Sequence, residues 1–170
     1  MTSAAVQFGR LAARIVPSTG RCSQLPVFVP WYRRFSTTNP KQEKRYTADH
    51  EWIDLPRGTT VGTIGITTHA AHELGDVVYV ELPSLSTEVS AGDILGAIES
   101  VKSASDIKTP VTGIITAVNS LLEEKPSIIN AKPEEGGADG GWVAKIEVGQ
   151  TGVAEWEGLM TEEEYKASLN

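Results

Sequence analysis

The sequence predicts a mainly β fold, a small sandwich or barrel of short antiparallel strands with a few short helices at its margins, one of them C-terminal. Three observations carry this expectation. β-Prone runs are short and numerous, and Gly or Pro separates most of them. A faint internal echo links Gly75-Asp76-Val77-Val78 to Gly92-Asp93-Ile94-Leu95, two turn-to-strand entries of the same form.

Tyr46 to Leu55 reads as a first strand anchored by the aromatic of His50-Glu51-Trp52, and Pro56-Arg57-Gly58 closes it as a turn. Thr60 to Ile66 alternates small, polar and β-branched residues and reads as a second strand. Thr67 or Thr68 caps a short helix to about Leu74, and Gly75 terminates it. Asp76 to Leu82 is a strand ended by Pro83, and Ser84 to Ala91 a loop. Two strands flank Lys102, within Gly92–Ile98 and Asp106–Ile115. Val111 to Val118 continues as an apolar stretch in which Gly113 allows a bend. In the mixed segment from Asn119 to Pro133, the apolar pairs Leu121-Leu122 and Ile128-Ile129 are expected to cover a sheet edge. Glu134 to Gly141, rich in Gly and acids, reads as a mobile loop, and Gly141 to Val148 as the last strand. Thr161 with Glu164 three residues on is a capping box that opens a C-terminal helix.

Charge divides the 170 residues into two parts. Residues 1–42 carry Arg10, Arg14, Arg21, Arg33, Arg34 and Lys41 and no acid, whereas positions 43–170 hold nine basic and 22 acidic residues, a formal charge of −13. An acid-free leader rich in Ala, Ser, Thr and Arg has the composition of a mitochondrial import segment. Arg10 and Arg14 share one helical face there, with apolar residues around them. A transit peptide over residues 1–35 is expected, cut near Arg33-Arg34-Phe35-Ser36, with the functional domain over 36–170. No apolar run of secretory or bilayer-spanning length is present. A basic arm for nucleic acid would be denser in Lys. Neither membrane nor nucleic acid is therefore expected as a partner. The single cysteine, Cys22, falls in the leader, so the body has no thiol of its own.

Catalytic chemistry is poorly supplied. His69 and His72 lie three apart on the expected helix and in principle share a face and a metal ion, but no third ligand is indicated by spacing. A half-exposed helix face is the reading adopted, with no metal site. Gly58, Gly62 and Gly65 match neither phosphate-loop spacing. The pairs Glu123-Glu124 and Glu134-Glu135 read as solvated loop acids, and Trp52, Trp142 and Trp156 as packing residues.

Lys102 remains. It stands in Glu99-Ser100-Val101-Lys102-Ser103-Ala104, a polar break between two apolar runs. A lone turn lysine is usually only a soluble surface residue. Here small neighbours leave the amine open to a modifying enzyme, and acylation would convert it into a neutral amide with a long tether.

The stretch from Gly92 to Gly113, a strand, a lysine and a strand with Pro-x-x-Gly, resembles the hairpin of lipoyl and biotinyl carrier domains. Biotinyl domains place Met on both sides of the lysine, and lipoyl domains of the 2-oxoacid dehydrogenases have Asp-Lys-Ala. Glu99-Ser100-Val101-Lys102-Ser103 is instead similar to the H-proteins of the glycine cleavage system. So are His50-Glu51-Trp52, Gly65-Ile66-Thr67, Leu74 to Pro83, Gly141-Trp142 and Glu163-Glu164-Tyr165, in the same order. The Glu134–Gly141 stretch departs from that pattern by being longer and richer in glycine.

This resemblance implies a barrel-sandwich hybrid and a non-catalytic carrier; the leader places it in the mitochondrial matrix, and a monomer is the default for a small carrier that presents its arm to several enzymes. The resemblance implies lipoate amide-linked to Lys102 by lipoyl-attaching enzymes. It implies shuttling from a pyridoxal-phosphate glycine decarboxylase (P-protein), which loads an aminomethyl group, to a tetrahydrofolate-dependent aminomethyltransferase (T-protein). A dihydrolipoamide dehydrogenase (L-protein) then reoxidises the dithiol. It further implies that the loaded arm folds back on the surface, where Glu51 and Asp106 are expected to contact it. Two alternatives stay open: a biotin carrier, and an unmodified lipoyl-like interaction module.

Overall fold

The computed structural model describes residues 43–169. The expected transit peptide at 1–35, with Cys22, lies outside the described residues. Among the described residues, nine strands form two antiparallel sheets: β1 (Lys44–Tyr46), β2 (Glu51–Asp54), β3 (Val61–Ile66), β4 (Val77–Glu81), β5 (Glu88–Val89), β6 (Ile94–Ser100), β7 (Ala104–Lys108), β8 (Gly113–Val118) and β9 (Ala144–Val148). The larger sheet has the order β1-β2-β3-β9-β8-β5 and the smaller β4-β6-β7. The arrangement is sandwich-like and not closed as a barrel. Ile53, Ile64, Ile115 and Ile146 from the larger sheet meet Val80, Ile98 and Ile107 from the smaller in one core. Each fully buried aliphatic side chain contributes roughly 1.5–3 kcal/mol.

Five short helices surround this core: α1 (Thr68–Leu74), α2 (Leu121–Glu124), α3 (Ile128–Ala131), α4 (Gln150–Glu157) and α5 (Glu162–Ser168). Thr67 caps α1 by accepting from Ala70 N, and Gly75 ends it at φ 75°. The Thr161–Glu164 capping box of α5 is formed in both directions. α5 docks through Tyr165, which stacks on Tyr46 with ring centroids 4.8 Å apart. Tyr46 and Met160 also exchange backbone hydrogen bonds of 2.9 and 3.1 Å.

Several expectations need correction. The first strand is two strands, because Thr47 to His50 form a tight turn in which His50 adopts φ 72°. The expected loop at Ser84–Ala91 contains β5, which pairs with the start of β8. Leu122 and Ile129 do not merely cover an edge; both are fully buried in the core. α4 was not anticipated. The Glu134–Gly141 segment is tied down, since the Glu134 carboxylate accepts from Thr68 N and Thr68 Oγ1, both at 2.9 Å. Glu134 is therefore not simply a solvated loop acid but a cap on the first turn of α1.

Asp54 is buried, and its Oδ1 has no hydrogen-bond partner among the described residues. Burial raises its pKa above the ordinary 3.8, opposed by the cross-strand Lys44. The folded state thus holds this proton more tightly than the unfolded state. The Asp54 contribution to stability is largest at low pH and declines as pH rises from 3.8 through the higher folded value. Asp54→Asn is expected to remove that decline. Urea unfolding should then show the variant gaining on the parent as pH rises through that interval, and a stability difference that is constant with pH would show that Asp54 titrates alike in both states.

Candidate functional site

Lys102 occupies the tip of the β6–β7 hairpin, whose last strand pair is Glu99↔Ala104. The tip is held by Ser100. Its hydroxyl accepts from Lys102 N at 3.2 Å and Ser103 N at 3.0 Å, and donates to Ser103 O at 3.0 Å. Val101 N donates to Asp76 O at 3.1 Å, which ties the tip to the junction between α1 and β4. Val101 itself is 75% exposed, and Lys102 is exposed beside it.

The lysine stem lies across Gly75. A Cβ built on that glycine would stand 2.6 Å from Lys102 Cε, and the φ of 75° already disfavours any other residue. Asn130 braces this junction. Its Oδ1 accepts from Val77 N at 3.0 Å, and its Nδ2 donates to Gly75 O at 2.6 Å. Sequence reasoning missed Asn130, because an Asn in a mixed segment carries no spacing that distinguishes a brace from a turn.

A cavity of about 310 Å³ lies beside the hairpin, walled by Ser103, Ala104 and Ser105 on the lysine side. Ile66, Ala70, Leu74, Ile98 and Ile107 give it an apolar wall. Asp49, His50, Glu51, Glu73 and Asp106 supply a polar, largely acidic rim. A larger hollow of about 460 Å³, at Glu43–Tyr46, Glu134, Thr161 and Glu162, does not include the hairpin. Its walls are mostly charged, and it offers nothing to a group carried on Lys102.

The structure brings the predicted residues Glu51 and Asp106 to the same cavity. They differ in setting. Asp106 is exposed on β7, whereas Glu51 is 3% exposed. Glu51 Oε1 accepts from Lys108 N at 3.1 Å, and Oε2 accepts from the Thr47 hydroxyl. The adjacent Lys108 ammonium pairs with Asp49 at 2.9 Å, and that hydrogen bond raises the lysine pKa. The Thr47–His50 turn is thereby clasped to β7, and the clasp forms one side of the cavity.

His69 and His72 do not act together. His69 instead lies against His50, with ring centroids 4.7 Å apart, and 3.6 Å from the Glu73 carboxylate. His50 belongs to the turn before β2, so no spacing within α1 could have revealed it.

The family model for "Glycine cleavage H-protein" matches residues 44–170. The chain belongs to the glycine cleavage H-protein family. It is 48% identical over 123 residues to the glycine cleavage system H protein of Phenylobacterium zucineum, covering 72% of this chain and 95% of that one. It is 43% identical over 136 residues to the mitochondrial H protein of Saccharomyces cerevisiae, covering 79% and 76%. The crystal structure of a glycine cleavage system H protein from Mycobacterium marinum superposes with a TM-score of 0.62 at 37% identity, over 75% of this chain and 97% of that chain. H-proteins are carrier components and not enzymes, in keeping with a site built from a presented lysine and a cavity.

Removing the Ser100 hydroxyl takes away the shared acceptor for two tip amides. In Ser100→Ala, amide exchange at Lys102 and Ser103 is expected to quicken roughly tenfold, as suits loss of bonds of about 1 kcal/mol each. Exchange rates unchanged from the parent would show that the hydroxyl does not hold the tip.

Proposed function

We propose that this chain is the lipoyl carrier of a glycine cleavage system, with lipoate amide-linked to Lys102 Nζ. The observation that carries this reading is the exposed Lys102 on a pinned hairpin tip beside a cavity that is apolar on one wall and acidic at its rim. The residues fit the group: aliphatic walls suit a hydrocarbon chain and a dithiolane, and the rim suits a polar or cationic cargo. When bound, lipoate supplies a reversible dithiol–disulfide couple on a long tether. Residues 43–169 contain no cysteine, so such sulfur chemistry has to be brought in.

The chain's own residues divide the work. Ser100 and the Val101–Asp76 bond fix where the amine is presented. Gly75 leaves room for the stem. Ile66, Ala70, Leu74 and Ile107 keep water from the cavity wall. Glu51 and Asp106 serve as carboxylates for a protonated amine, and a charge-assisted hydrogen bond would strengthen that contact. Glu51 does so from a fixed position, since Thr47 and Lys108 already orient it.

The reading includes three enzyme partners: glycine decarboxylase, aminomethyltransferase and dihydrolipoamide dehydrogenase. It places the carrier in the mitochondrial matrix, as a monomer released from residues 1–35. Support comes from the acid-free leader and from the relatives in Saccharomyces cerevisiae and Schizosaccharomyces pombe that are named as mitochondrial. Related H proteins are also bacterial.

Intact-mass measurement of the protein from its native source tests the attachment. One lipoyl increment is expected on the parent and none on Lys102→Arg. An unmodified parent mass overturns the reading, and capture by streptavidin would replace lipoate with biotin. The formal charge of −13 on positions 43–170 generates a second expectation. Turnover with separated partners at limiting carrier should fall several-fold between about 20 mM and about 500 mM salt, as screening removes long-range attraction. Insensitivity to salt would assign the acidity to solubility alone.

A further inference from the structure

We propose that His50, His69 and Glu73 form a binding site for a divalent transition-metal ion of the zinc type. One ligand atom from each residue lies within 4.8 Å of the other two. His69 Nε2 and a Glu73 oxygen are already 3.6 Å apart, one helical turn from each other on α1. Two ligands of a tetrahedral zinc ion, at bonds of about 2.0–2.1 Å, stand roughly 3.3 Å apart. Small rotations of two partly exposed side chains close the remaining gap.

The third ligand is prepared by its surroundings. His50 Nδ1 lies 2.8 Å from the Tyr165 hydroxyl, and that hydroxyl lies 2.9 Å from Thr67 Oγ1. With Nδ1–H donating to that hydroxyl, the tautomer that ligation through Nε2 requires, the tyrosine would orient the ring as an outer partner orients a metal-binding histidine. The turn holds His50 at φ 72°, which places its ring over His69 in an edge-to-face contact. Two imidazoles and one carboxylate select a borderline ion such as zinc or cobalt over calcium or magnesium, which favour all-oxygen sites. His50 and Glu73 also line the rim of the 310 Å³ cavity, which puts the cluster at the edge of that cavity.

Cobalt(II) titration of the full chain, read by its visible d–d absorption and by zinc competition, tests the site. The parent and all variants carry Cys22→Ser, which removes the single thiol as a competing ligand. Saturable binding of one equivalent is expected, displaced by zinc. His69→Gln and Glu73→Gln should each weaken it at least tenfold. His72→Gln, on the same helix but outside the cluster, should leave it unchanged. Absence of saturable binding up to about 1 mM overturns the proposal, as does an equal loss in His72→Gln or no loss in the other two. Circular dichroism of each variant separates ligand loss from unfolding.

Discussion

The molecule depends on the central place of β6 in the smaller sheet. A two-stranded hairpin is marginal in water, so a tip on β6 and β7 alone would present its lysine in no fixed direction. β6 is bonded to β4 on one side and β7 on the other, and it buries Leu95 and Ile98 in the core. The β4–β6 approach leaves no space for a side chain at Gly96. A Cβ there would stand 2.0 Å from the Glu81 carbonyl oxygen. That close contact lies at the root of the hairpin, next to the register shift between Ile94 and Gly96. At the other end, Val101 N bonds to Asp76 O. The hairpin is thus fastened at both ends, and its rigidity draws on the sheet as well as on the Ser100 bonds of the tip.

β7 is the outer strand of that sheet, and an outer strand leaves backbone donors in need of partners. Glu51 answers one of them by accepting from Lys108 N, while Asp49 takes the Lys108 ammonium. Asp49 comes from the turn into β2 and Glu51 opens β2, which belongs to the other sheet. One short segment therefore closes an edge, links the two sheets and supplies the cavity rim. The Glu51 carboxylate is fixed by structural bonds before any ligand arrives. A carboxylate fixed in this way would be a preorganised acceptor for a cationic group entering the cavity.

What could be read in advance was whatever local chemistry announces. Thr67 and Gly75 bracket α1, Thr161 with Glu164 opens α5, and the apolar runs around Lys102 supply β6 and, divided after Lys108, parts of β7 and β8. The hairpin lysine was legible for the same reason. What stayed hidden depends on distant partners. The turn at Thr47–His50 contains no Gly or Pro, and His50 accepts φ 72° in a setting where it contacts Tyr165 and His69. β5 is two residues long and exists through its pairing with β8. α4 contains Gly152, a weak helix former, because a Cβ there would meet the Thr112 carbonyl oxygen at 2.2 Å. Glu134 caps a helix that precedes it by more than sixty residues.

The separation of presenting and receiving elements argues for a carrier more strongly than any single residue does. Lys102 is not part of the cavity wall; its stem lies on Gly75, whereas Glu51 and Asp106 line the cavity. An enzyme gains by fixing a reactive group against its acid or base, since misplacement by even 1 Å is costly. This chain does the reverse. Its one distinguished amine is presented at an exposed, pinned hairpin tip, and a cavity with carboxylates at its rim lies beside that hairpin. Such geometry is of little use for chemistry on the lysine, but it suits a tether that must be available to other proteins and also have a place to rest. The same division explains why Glu51 in the rim can hold structural bonds without compromising the tip.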